Sequence, residues 1–204
     1  MISSVKFKEK FRCFEKDTVI DLRQITLLVG DQGSGKSSLL HFLSEAVKFA
    51  SKNKDFKGHK VISLTTEGEP VIKQFTSSDF EKENIRTLPY LSQKIDIRFQ
   101  LGSYLASHGE TVNACLRSLP DYRNTLILMD EPDMALSPKS AVNLANMMKT
   151  ALGNECQIIV AIHNPIIISL FNDVFDMSRR IWCSPHDYFE TMGLSVRITT
   201  SDKG

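Results

Sequence analysis

Cysteine is sparse and scattered in this chain. The four thiols, Cys13, Cys115, Cys156 and Cys183, form no CxxC pair and no cluster with histidine, so neither a structural zinc site nor a disulfide framework is expected. They suit a reducing cytoplasm. An excess of one charge is also missing: the net charge of +1 creates no global field that would draw the chain to nucleic acid or a membrane. No apolar run is long enough to span a bilayer. The most apolar stretch, residues 157–171, is short and contains His163, Asn164 and Pro165, which excludes a membrane span there. The opening residues hold no apolar segment, so no signal peptide is expected. Internal repeats, low-complexity tracts and an evident interdomain linker are lacking as well. At 204 residues that points to one domain with one substantial core. The composition, 42% hydrophobic and 24% charged, is that of a soluble globular protein.

The organisation along the chain is alternating. Two early strands are expected over 5–7 and 18–22. Residues 25–29 then form a continuous apolar run ending at Gly30, the pattern of a strand buried on both faces. Helical spacing of Leu39, Leu40, Phe42, Leu43 and Val47 predicts a helix over 36–50. Two strands are expected over 61–64 and 70–75, around a turn at Glu67-Gly68, and a helix over 110–119, ended by Pro120. A second fully apolar strand covers 125–129. A helix over 138–152 follows, with Ser137 as N-cap and Pro138 in its first turn. A third apolar strand covers 157–162, Pro165 opens a short helix, and the tail reads as strand, short helix, strand. Three buried strands separated by helices predict an α/β fold with a mostly parallel sheet.

Three motifs sit at the ends of those three strands. Gly30-Asp31-Gln32-Gly33-Ser34-Gly35-Lys36-Ser37, followed by Ser38, matches the phosphate-loop pattern G-x-x-x-x-G-K-[ST] in full. Its glycines let backbone N–H groups converge on phosphate oxygens, and the following helix points its positive end at the same anion. Lys36 would reach the β- and γ-phosphates of ATP, and the Ser37 hydroxyl would ligate Mg²⁺. The second apolar strand delivers Asp130 and Glu131 at its C-terminal edge, where open α/β sheets bind ligands. Asp130 would hold Mg²⁺ beside Ser37, and Glu131 would act on the attacking water. His163 ends the third strand in the same way and would hydrogen-bond the γ-phosphate.

Taken in order, GDQGSGKSS, ASHGE, LILMDEP and AIHNP resemble the ATP-binding-cassette (ABC) ATPase superfamily over most of the chain. The likeness is to its soluble branch of chromosome-maintenance and recombinational-repair ATPase heads, and to small stand-alone SHGE-type AAA family ATPases. The resemblance implies an ABC-type ATPase head: a phosphate-loop α/β core, an antiparallel β subdomain and a helical signature subdomain. It also implies a single domain over 1–204, with a β-rich N-terminal lobe at about 1–76, a signature-helical segment at about 77–122 and a core lobe at about 123–204. In that family two copies sandwich two ATPs head to tail. Ser107 and Gly109 would complete the partner's phosphate site, and slow hydrolysis would release the dimer. The signature LSGGQ of the family stands here as Ala106-Ser107-His108-Gly109-Glu110, and Ser137 occupies the position of an aspartate that crosses the dimer. Gln74 and Gln93 are candidates for the glutamine of the family, and Phe11 and Phe14 for an adenine-stacking ring.

Only about seventy residues separate Ser37 from Ser107, without sustained heptads, so this is a bare head without a coiled-coil arm. The expected role is a cytoplasmic ATP switch that controls a nuclease, toxin or other effector, or a DNA process. The alternative is the nucleotide-binding motor of a membrane transporter. Asn53-Lys54-Asp55 hints at a guanine-reading motif but lies too near the phosphate loop to serve as one. The cluster Lys52, Lys54, Lys57 and Lys60 reads as a solvated loop with DNA phosphates as a secondary possibility.

Overall fold

A computed structural model describes residues 1–53, 61–66, 71–75, 119–134 and 136–194. The predicted signature residues Ser107 and Gly109, together with Gln93, Lys54, Lys57 and Lys60 and residues 110–118 of the helix expected over 110–119, lie outside the described residues.

The strands are β1 (Ile2–Phe7), β2 (Val19–Asp21), β3 (Ile25–Val29), β4 (Ile62–Thr66), β5 (Val71–Phe75), β6 (Thr125–Asp130), β7 (Gln157–Ala161), β8 (Val174–Asp176) and β9 (Ile181–Cys183). The helices are α1 (Lys36–Asn53), α2 (Pro138–Gly153), α3 (Pro165–Ser169) and α4 (Pro185–Thr191). Two sheets result. A three-stranded antiparallel sheet runs β2-β1-β4, and a six-stranded sheet runs β5-β6-β7-β3-β8-β9. Every described pairing in the larger sheet is parallel except β8 with β9.

The continuous apolar runs of β3, β6 and β7 are explained by burial on both sheet faces. Successive side chains on a strand point to opposite faces. Leu27 and Val29 of β3, Ile127 and Met129 of β6, and Ile158 and Val160 of β7 therefore share one face. They pack there with Ala141, Leu144, Ala145 and Met148 of α2. The intervening Leu28, Leu126, Leu128 and Ile159 share the other face with Leu39, Leu43 and Val47 of α1, and with Ile2, Val5, Phe7 and Ile62 of the antiparallel sheet. The buried Gln157 joins the two sheets. Its amide accepts from Ile2 N (2.7 Å) and donates to Ile2 O (2.6 Å) and Arg23 O (3.1 Å).

Two local expectations are modified. The strands expected around Glu67-Gly68 do not pair with each other. β4 joins β1 in the antiparallel sheet, while β5 lies parallel to β6 at the edge of the other. The three-residue β8 was not anticipated. It is turned back into β9 by Asp176, whose Oδ1 accepts from Ser178 N (2.8 Å) and Arg179 N (3.2 Å). Because β3, β6, β7 and β8 run parallel, their C-terminal ends fall on one edge, and the site is assembled there.

Candidate functional site

The loop after β3 closes directly onto α1. Gly30, Gly33 and Gly35 all have positive φ (+124°, +82° and +100°), backbone that side chains with a Cβ rarely adopt. Close approach adds a second constraint at two of them. A Cβ on Gly30 would meet Ser178 Oγ at 2.9 Å, and one on Gly35 would meet Cys13 Sγ at 2.5 Å and Phe14 Cζ at 2.8 Å. The first turn of α1 carries no acidic residue, which keeps its positive end free for an anion. Asp31, Gln32 and Gly33 are exposed at the tip of the loop, and Ser34 and Gly35 are half-buried.

Lys36 is folded back into this loop. Its Nζ donates to the carbonyls of Gly30 (2.7 Å) and Asp31 (2.9 Å), and the residue is only 5% exposed. Burial pushes its ammonium pKa down, opposed by the negative charges of Glu131, Asp31 and Asp130. The loop is also held from the far end of the chain. Gly30 N donates to the Tyr188 hydroxyl (3.0 Å) and Asp31 N to Ser178 Oγ (3.1 Å). Sequence reading did not single out Tyr188 or Ser178, because contacts 158 and 147 residues away leave no local signal.

Ser37 Oγ donates to Asp130 Oδ1 at 3.0 Å, which joins the phosphate loop to the end of β6. Burial raises the Asp130 pKa, and the adjacent Glu131 charge adds to that, while the Ser37 hydrogen bond, Lys36 and His163 oppose it. A carboxylate destabilised by burial next to a hydroxyl is a pair of hard oxygen donors of the kind Mg²⁺ takes. Glu131 is the first residue past β6. Its φ of +52° is left-handed, a conformation that costs a non-glycine residue about 1–2 kcal/mol. Its N–H donates to Ala161 O at 3.1 Å, and its Oε1 stands 3.3 Å from His163 Nε2. His163 is exposed. Its own N–H, and that of Asn164, donate to Asp133 Oδ2 at 2.8 and 2.5 Å. Asp133 is a buried carboxylate that the sequence reading passed over, although it stands two residues after Glu131.

A cleft of about 540 Å³ opens beside the loop, lined by Phe11, Arg12, Ser37, Ser38, His41 and Phe42. This separates the two candidate rings for a nucleotide base. Phe11 lines the cleft, edge-on to Phe42 at 4.7 Å. Phe14 is fully buried and stacked on Phe7 at 4.1 Å. Arg12 Nη1 donates to Ser38 Oγ at 3.0 Å and lies over the Phe11 ring. Ser137 caps α2, accepting from Ser140 N. Gln74 lies in β5 in register with Leu128.

These residues make a polar edge with a glycine-lined anion site, an ammonium, a hydroxyl–carboxylate pair and a carboxylate–imidazole pair. Residues 1–113 match the family described as AAA ATPase domain. The phosphate import ATP-binding protein PstB of Oceanobacillus iheyensis is 23% identical over 214 aligned positions, which cover 82% of this chain and 77% of that protein. Solved structures that share the fold include two ABC transporter components. A metal-chelate type ABC transporter in an inward-facing conformation has a TM-score of 0.53 at 16% identity, over 92% of this chain and 85% of that one. The protein cbiO1 of Clostridium perfringens, part of the ABC transporter complex cbiONQ, has a TM-score of 0.56 at 15% identity, over 94% and 92%. The chain belongs to the AAA ATPase domain family.

Proposed function

We propose that this chain hydrolyses ATP with Mg²⁺, slowly, and acts as an ATP-switched head-to-tail dimer that controls a protein effector or a DNA process of the repair or defence type. The observation that supports this reading is the meeting of Lys36, Ser37, Asp130, Glu131 and His163 at one sheet edge. In it, backbone N–H groups from Gly33 to Ser38 surround the phosphates, while those of Gly30 and Asp31 stay on Tyr188 and Ser178, and Lys36 exchanges the Gly30 and Asp31 carbonyls for β- and γ-phosphate oxygens. Ser37 and Asp130 would hold Mg²⁺, which would supply positive charge against the charge developing on the phosphates. Glu131 orients the attacking water and accepts its proton. His163 bridges Glu131 and the γ-phosphate. Phe11 and the cleft beside it accommodate the base.

The remaining donors come from a second copy. Ser107 and Gly109 would face the γ-phosphate bound by the partner copy, so that each site would be shared between two chains. Glu131→Gln tests this. With ATP and Mg²⁺ the variant is expected to elute at twice the monomer mass in size exclusion with light scattering, and with ADP as a monomer. A monomer in both states at high protein concentration refutes the sandwich.

A second reading is favoured by the relatives, which are transporter ATP-binding proteins and transporter components. Here the chain would be the motor of a membrane assembly. No helix among the described residues is long and apolar enough to cross a membrane, so such a motor would dock on a separate membrane subunit. Co-purification of the tagged chain with an integral membrane protein from detergent extracts supports this reading. Recovery of a soluble effector supports the cytoplasmic switch.

A further inference from the structure

We infer that Asp133 is a positioning residue that sets His163 against Glu131 by joining the two loops that carry them. The inference rests on the reading of Glu131 and His163 as the hydrolytic pair.

The parallel ladder stops at the end of β7. Ile162 N still donates to Leu28 O at 3.1 Å, but the next two N–H groups, of His163 and Asn164, are turned to the Asp133 carboxylate. A backbone N–H with no acceptor is costly, so one oxygen of Asp133 decides where this segment lies. Asn164 then opens α3, its Oδ1 accepting from Ile166 N at 2.9 Å. On the other side, the loop after β6 is a compact series of turns. Met134 N donates to Glu131 O and Leu136 N to Asp133 O, both at 3.3 Å. Glu131 itself is held left-handed, with its N–H on Ala161 O. Asp133 is thus rigidly spaced from the base and directly bonded to the backbone of the histidine.

The choice of residue supports a positional role. Asp133 is 7% exposed, and its Oδ1 is buried without a hydrogen-bond partner among the described residues. Burial drives its pKa upward, with the two N–H donors opposing. A carboxylate that is half-satisfied in the interior destabilises the fold. Such residues cluster where geometry matters more than stability. The double acceptance by one Oδ2 is what brings His163 Nε2 to 3.3 Å from Glu131 Oε1.

The test compares steady-state ATP hydrolysis by Asp133→Ala, Asp133→Asn, Asp133→Glu, His163→Ala and the double variant Asp133→Ala/His163→Ala, each assayed well below its melting temperature. Asp133→Ala is expected to lower kcat about 10-fold or more with KM for ATP within about 2-fold, the signature of a lost transition-state interaction. Asp133→Asn keeps an acceptor oxygen in place and stays within about 3-fold of wild type, whereas Asp133→Glu displaces the acceptor and loses activity as Ala does. The double variant is expected within about 2-fold of His163→Ala, because two residues acting through one another are not additive. If Asp133→Ala does not fold, the Asn and Glu variants decide. Wild-type kcat in Asp133→Ala or in Asp133→Glu, or a double variant whose loss is the product of the single losses, overturns the inference while the hydrolytic reading stands. A wild-type chain that binds ATP but releases no phosphate overturns both.

Discussion

Alanine at Gly35 and alanine at Gly33 are predicted to have unequal consequences, although the two glycines share one loop. Both have φ in the left-handed half of backbone space, +100° and +82°, which for a residue with a Cβ costs on the order of 1–3 kcal/mol. At Gly33 that is the whole penalty, because nothing lies within 4 Å of the new Cβ. At Gly35 the Cβ meets Cys13 Sγ at 2.5 Å and the Phe14 ring at 2.8 Å. Cys13 is exposed and can turn away. Phe14 cannot: it is fully buried, stacked on Phe7 with an interplanar angle of 8°, and covered by the Arg180 guanidinium at 4.4 Å. Overpacking of this kind adds about 1–3 kcal/mol. In a domain of this size that corresponds to a melting temperature about 2–12 °C lower for Gly35→Ala than for Gly33→Ala. Thermal unfolding of the nucleotide-free variants by circular dichroism measures the difference. Adding Cys13→Ala is expected to recover part of it. Indistinguishable melting of the two glycine variants refutes the claim that the phosphate loop rests on the Phe14 ring.

Tyr188→Phe removes the acceptor of Gly30 N and leaves a buried N–H unpaired, at a cost of about 1–3 kcal/mol. Reduced ATP affinity and a lower melting temperature are expected, read by nucleotide titration and thermal unfolding. Asp130→Asn is expected to stabilise the protein in the absence of Mg²⁺ and nucleotide. A folded pKa raised by burial means that ionised Asp130 destabilises the fold as pH rises through that value. The gain is therefore present at neutral pH and absent below about pH 4, where the carboxyl is protonated in both folded and unfolded chains; urea unfolding across pH checks the sign. Lys36→Ala is expected to abolish ATP binding, measured with a fluorescent analogue.

What was legible in the sequence is what local pattern encodes. β3, β6 and β7 could be read because burial on both faces leaves unbroken apolar runs. The residues at their ends could be read because a parallel sheet places strand C-termini on one edge. Ser37 and Asp130, 93 residues apart, do meet, as do Glu131 and His163. Pairing partners were less accessible. β4 and β5 follow one another closely in the chain, and nothing in either segment says that they belong to different sheets. β8 is three residues long and owes its burial to β3 and β9 beside it. Asp133 was visible as a third acid after Asp130 and Glu131, but its burial and its two backbone partners depend on where β7 ends. Tyr188 and Ser178 reach the phosphate loop only through the packing of the chain's last described elements. The separation of Phe11 from Phe14 likewise needed the packing around Phe7 and Gly35.

The most direct test of the central claim is phosphate release from Mg²⁺·ATP by the wild-type chain and by Glu131→Gln, with bound ATP quantified in the same samples. The account predicts measurable turnover by wild type, a fall of about 10²-fold or more in the variant from the lost general base, and undiminished ATP binding. Equal phosphate release by the two proteins would contradict it.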